Sequence, residues 1–255
     1  MEYFVAKKSI VRKIWGKSDT ILFIFAAAAA EFAVNKAVDW LYFTGRLPAD
    51  PLGRLFSTVS YARAIIFSEK QAAHRAIDSM TAIHSTVEAN RNAKIPDWAY
   101  RDVLFMLIDY SIRSFEILER QLTVSEKEEV LQVFNAVGTR MGLTGLPKTY
   151  ETWQTMRQEH LNTDLKHSDY TADLFNQYRK HLGTMRYRIL LEVQKVVIPH
   201  TVRDLLRFRK MSFIRPVLLL YSVTKLIKAD WMLKSLLLPA HYKKQILALD
   251  YLQVK

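Results

Sequence analysis

An all-α fold follows from three features of the 255-residue sequence. Apolar residues recur at intervals of three and four, never in sustained alternation; only seven Gly and seven Pro are present; and residues suited to helix caps precede the apolar runs. Half of the residues are apolar and 12% are aromatic, enough for a continuous core and too many for a disordered chain. The length fits one domain over residues 1–255, built from roughly eight to ten helices packed at mixed angles rather than as an up-and-down four-helix bundle.

The elements can be placed in order. Ser18 or Asp19 is suited to cap a helix through Ile21–Trp40, and Asp50-Pro51 supplies an N-cap with proline at the first helical position. Ser68 and Gln71 have capping-box spacing before a helix to Ala89, and Pro96 restarts a helix through Phe115. Thr123 and Glu126 repeat the capping box and open a helix that closes at Met141-Gly142. The segment Gly142–Pro147 breaks the pattern, after which helices fit Thr149–Leu165, Thr171–Val197, Pro199–Lys210, Pro216–Leu238 and His241–Leu252.

Composition excludes several chemistries. With no Cys there is no thiol nucleophile, zinc–thiolate site, iron–sulfur cluster or disulfide. Gly-rich phosphate loops, GxSxG, HExxH and calcium loops are absent, as is the Glu-x-x-His pair of di-iron bundles. The net charge of +12 is carried by the C-terminal third: residues 176–255 hold 16 Lys/Arg against 4 Asp/Glu, whereas the rest is balanced. Such a zone, including Arg186, Arg188, Lys195, Arg203, Arg207, Arg209 and Lys210, reads as a solvated helix face or a surface for anionic lipid; no specific nucleic-acid module is recognisable. The apolar run Thr20–Ala30 is shorter than the about 20 residues a bilayer needs and is interrupted by Glu31, Asn35 and Lys36. A cytoplasmic protein with peripheral membrane contact is the resulting expectation.

The stretch from Asp50 to Arg91 is the most informative. Arg54 and Thr58, four apart, share one helix face. On the next helix His84 shares a face with Ile77, Met80 and Val87, which places an imidazole on an apolar stripe; His74, His167, His181 and His241 have polar neighbours and read as exposed. A histidine so placed is more often a hydrogen-bonded core residue than a ligand. Arg54 reads equally as an ion pair with Asp50, and Thr58 as a satisfied hydroxyl. Glu31, set after Phe25–Ala30, reads as an acid–base group or as an ion pair with Lys36 or Arg54, since a carboxyl in apolar surroundings needs a partner or a raised pKa. His160 shares a face with Trp153 and Met156 and is a reserve ligand, its neighbours Arg157 and Glu159 suggesting partial exposure.

The segments SIVRKIWG…AVDW, ADPLGRLFSTVSYARAIIFS and AIDSMTAIHSTVEA, in that order, resemble the family that includes latex-clearing rubber oxygenases and the mycophenolic-acid oxygenase, the similarity fading after about Leu146. The resemblance implies haem b in a globin-like helical core and oxygen-dependent chemistry on a hydrophobic small-molecule or polymer substrate. It makes His84 the proximal iron ligand and sets Arg54 and Thr58 beside the haem. Ser57 stands where rubber oxygenases carry a lysine, which points away from rubber itself and toward another apolar substrate. The competing reading is a non-catalytic helical binding protein that docks on anionic membrane through its basic C-terminal third.

Overall fold

The computed structural model of the chain describes residues 2–45, 49–209 and 211–214. Side-chain capping sets several of its helix starts. Ser9 accepts from the Val11 amide ahead of α1 (Ile10–Trp15), and Asp50 accepts from the Gly53 amide at 2.8 Å ahead of α4 (Pro51–Phe67), with proline at its first turn. Thr123 and Glu126 form the expected capping box of α7 (Val124–Arg140), and Thr149 accepts from Thr152 at the start of α8 (Tyr150–Thr163). The other elements are α2 (Ser18–Phe32), α3 (Val38–Phe43), α5 (Lys70–Arg91), α6 (Asp97–Leu118), α9 (Asp169–Val197) and α10 (His200–Leu205). No strand occurs among the described residues, and none of their helices is long and apolar enough to cross a membrane. The all-α class read from the sequence is the one observed.

Three local departures have tertiary causes. The Ser68–Gln71 capping box does not form: Glu69 occupies the N-cap position without a side-chain bond, and the N-terminal segment satisfies the backbone instead, Lys70 N–H donating to Glu2 C=O at 2.9 Å and Phe4 N–H to Ser68 C=O at 3.4 Å. The helix expected through Trp40 stops at Phe32. There the Asn35 side chain accepts from Ala37 N–H, and the turn pairs with the segment after α8, Lys36 N–H donating to Asp164 C=O and Lys166 N–H to Val34 C=O. In α9 the helix is interrupted at Gly183, whose φ of 72° and ψ of 169° lie in a region open essentially to glycine alone. The helices expected at Pro216–Leu238 and His241–Leu252 lie outside the described residues.

The core is centred on α2, which packs along α6 on one side and α9 on another, with α1 and α7 closing a third. The run Ala26, Ala27, Ala28 and Ala30 is buried, and these small side chains let backbones approach closely. The Gln194 amide of α9 accordingly reaches the Ala26 carbonyl at 3.0 Å. Trp15 of α1 is fully buried and donates its indole N–H to Ser111 of α6 at 3.1 Å, which satisfies the only polar atom of a side chain worth about 3 kcal/mol or more in burial. Thr171 donates to the Ala33 carbonyl at 2.7 Å and ties the start of α9 to the end of α2. The pair α4–α5 packs together at the flank, and only Ala73, Ile77 and Glu88 of α5 are buried.

Because an added methyl at Gly183 would meet no neighbour within 4 Å, any cost of Gly183→Ala is purely backbone strain. We expect it to destabilise the fold by about 1–3 kcal/mol in urea unfolding. An increase in stability would mean that α9 heals into one continuous helix and that the break is dispensable.

Candidate functional site

Two groups of polar side chains stand out, one inside the core and one on the α4–α5 flank. The inner group starts from Glu31, which sits near the end of α2 and is 1% exposed. Its carboxylate receives both terminal guanidinium nitrogens of Arg157 at 2.6 Å each, the Tyr110 hydroxyl at 2.5 Å, and contacts His160 Nε2 at 2.8 Å. Arg157 and His160, three residues apart on α8, present one face to α2 and α6. Arg157 also donates to Asp109 Oδ2 at 3.0 and 3.1 Å, and Arg113 binds the other Asp109 oxygen at 2.6 Å. On the far side of the imidazole, Nδ1 lies 2.7 Å from Asp102 Oδ2 and 3.7 Å from Asp164 Oδ2.

The electrostatics follow from this arrangement. Burial alone would raise the Glu31 pKa, but the Arg157 charge and hydrogen bonds, helped by His160, hold the carboxyl well below its ordinary range. Burial works against the His160 cation too, yet the Asp102 and Glu31 carboxylates outweigh it and raise the imidazole to about 9. Asp102 is pushed up by its burial and by the Asp164 charge, against the pull of His160 and Asn35. Tyr110 is pushed far up by burial and by Glu31, so its phenol stays a donor.

Glu31 and His160 were the members of this cluster legible as candidates, and the partner of Glu31 is neither Lys36 nor Arg54 but Arg157. His160, expected to be partly exposed, is buried because its charged neighbour Arg157 turns inward with it. Asp102, Asp109, Tyr110, Arg157 and Asp164 escaped the sequence reading. The available signal was the seven-residue spacing of Asp102 and Asp109, which puts both on the face of α6 that also carries the buried Phe105 and Ile112.

The outer group brings His84 and Arg54 together. His84 is half-buried rather than sunk in a dry core: its stripe holds Ile77, fully buried, but Met80 and Val87 are half-covered and Ile83 is 44% exposed. The ring stands edge-on to Tyr100 of α6, with centroids 5.3 Å apart. Its Nδ1 is buried and has no hydrogen-bond partner among the described residues. Burial first, and then the Arg54 charge, lower its pKa against the weaker pull of Glu88, so the ring is neutral. Arg54 is half-buried on α4, and the Thr58 hydroxyl is spent on the Arg54 carbonyl at 3.1 Å. Ser57 is exposed. Glu31 contacts none of these residues and belongs to the inner group.

The other histidines divide. His167 and His181 are exposed as expected, whereas His74 is half-buried with its ring against Phe4, and His241 lies outside the described residues. In the basic zone Arg188, Arg207 and Arg209 are exposed and Arg186, Lys195 and Arg203 half-buried; Lys210 and residues beyond 214 lie outside the described residues.

The family model described as ER-bound oxygenase mpaB/B'/rubber oxygenase, catalytic domain, matches residues 12–228. The chain belongs to this family. The match extends well past Leu146, where the motif similarity faded, and covers all the helices from α2 to α10. Neither the curated proteins nor the solved structures contain a match to the chain. The buried cluster is read from this chain's own geometry.

Two outcomes are expected for the inner cluster. Arg157→Met leaves Glu31 and Asp109 buried without their cation and should cost about 3–5 kcal/mol in denaturant unfolding, and adding Glu31→Gln should recover part of that loss. A single-variant loss below about 1 kcal/mol would show that water replaces the guanidinium freely. Second, the His160 pKa is raised from 6.5 to about 9, so its charge contributes stability fully below pH 6.5 and loses it as pH rises through about 9. The melting temperature in EDTA should therefore fall over that window and fall less in His160→Gln.

Proposed function

We propose that this oxygenase-family chain is a haem b-dependent oxygenase acting with O2 on an apolar substrate, with His84 as the iron-binding residue. The observation that carries the reading is the His84 imidazole itself. It is held neutral, its buried Nδ1 has no partner among the described residues, and it lies on an incompletely covered apolar strip of Met80, Ile83 and Val87. Neutral imidazole is the form that ligates iron, and an apolar strip around it suits a porphyrin face. The residues present therefore fit the group.

Within this reading Arg54 supplies a fixed positive charge beside the ligand, suited to pairing a propionate and to lowering the basicity of His84. Tyr100 holds the imidazole plane edge-on and is itself anchored by donating to Glu88 at 3.2 Å. Thr58 keeps the α4 face polar near Arg54, though its proton is committed to the backbone. When bound, haem iron supplies activation of O2. The protein would contribute the His84 nitrogen that holds the group, the adjacent Arg54 charge and the apolar surroundings. Ser57, exposed where rubber oxygenases carry lysine, supports a substrate other than rubber.

Purified or haem-reconstituted protein should show a strong Soret band, which His84→Ala abolishes or shifts. Arg54→Ala should retain the band but load haem more weakly. A folded wild-type chain that stays colourless after reconstitution removes the proposal.

A further inference from the structure

His160, on the inner face of α8, is 3% exposed, yet its Nδ1 has no hydrogen-bond partner among the described residues. The nearest oxygen, Asp102 Oδ2, approaches this nitrogen to 2.7 Å. Asp164 Oδ2 approaches the same nitrogen at 3.7 Å, and the three donor atoms all lie within 4.8 Å of one another. We propose that Asp102, His160 and Asp164 form a binding site for a divalent first-row transition ion, with Glu31 as the outer carboxylate that orients the histidine.

Each part of such a site is in place. Ligands bound to one ion at about 2.0–2.2 Å are separated by roughly 3–3.5 Å, so side-chain shifts of up to about 1 Å bring these atoms to working positions. His160 and Asp164 are one turn apart on the α8 side, and Asp102 faces them from α6. The second ring nitrogen contacts Glu31 Oε1 at 2.8 Å, the carboxylate–histidine–metal arrangement that fixes the tautomer and strengthens the ligand. Glu31 is in turn clamped by Arg157 and Tyr110, which gives the orienting group no freedom to wander. Asn35 donates to Asp102 at 3.3 Å and holds the first carboxylate.

Charge favours the same conclusion. Glu31, Asp102, Asp109 and Asp164 converge on Arg157 and His160, and Arg113 adds a cation only at the outer edge of Asp109. Lys36 is spent on the Thr163 carbonyl at the rim. A divalent ion bound to a neutral imidazole balances these carboxylates better than a single proton on His160 does. Asp164 is 25% exposed, which opens the site to water for a fourth ligand. One imidazole with two carboxylates suits zinc or manganese better than calcium or a copper(I) ion.

The untagged full chain, stripped with EDTA, is titrated separately with Zn2+ and Mn2+ by calorimetry, with haem content recorded in parallel. One saturable equivalent of at least one ion is expected. Asp164→Asn, which replaces a part-exposed ligand and should keep the fold by circular dichroism, should weaken that binding at least about tenfold, as should His160→Gln. His167→Gln, an exposed neighbour, should leave it unchanged. Folded wild-type protein that takes up neither ion, or Asp164→Asn that binds as tightly as wild type, would overturn the site and leave His160 as a proton-bearing bridge between Glu31 and Asp102.

Discussion

The bidentate pairing of Glu31 with Arg157 is the constraint around which the molecule is organised. Both side chains are almost wholly removed from water, so the pair is unlike the solvent-exposed ion pairs at Lys70–Glu2 or Arg120–Glu126, whose net contribution is small. Desolvating two charges is expensive, and only the full set of partners compensates for it: two guanidinium bonds, a phenol, an imidazole and a second carboxylate, Asp109. Such a cluster is demanding about geometry. A one-turn slip of α8 against α2 would leave every member short of a partner, so the network fixes helix register in a core whose alanine-rich centre is otherwise smooth.

The α4–α5 flank is built on the opposite principle. Few of its residues are buried, its apolar strip is only half covered, and its imidazole has an unsatisfied nitrogen. A densely bonded centre beside a half-covered edge divides the labour: the first holds geometry, and the second presents apolar surface and the His84 nitrogen. Tyr100 of α6 joins the two regions, since it touches His84 while the same helix carries Asp102, Asp109 and Tyr110 into the centre.

Much of this architecture was legible because the determinants are local. Thr123 with Glu126 and Asp50 with Pro51 act through bonds to the next few residues, and the structure shows them doing so. Where a distant segment supplied the partner, local reasoning failed: Glu2 rather than Ser68 satisfies the start of α5, and residues 164–166 stop the helix that the sequence would have continued past Phe32. The same distinction separates the two groups of site residues. Arg54, Thr58 and His84 fall within about thirty positions and lie in segments that carry the family resemblance, so they could be nominated. Arg157 lies 126 positions from Glu31, and nothing nearby in sequence marks it as buried; its neighbours Gln158 and Glu159 are exposed. Apolar periodicity locates a core, but it does not say which charges pair inside it.

That long separation also bears on how the protein is made. While the ribosome has delivered α2 and α6 but not yet α8, the emerging chain holds Glu31 and Asp109 without the Arg157 guanidinium that pairs with both. Docking these two helices early would bury bare carboxylates, which water solvates far better. The central helix pair therefore stays hydrated until the eighth helix arrives, and an abundant apolar surface remains on display through most of synthesis, a period in which a holding chaperone has something to grip.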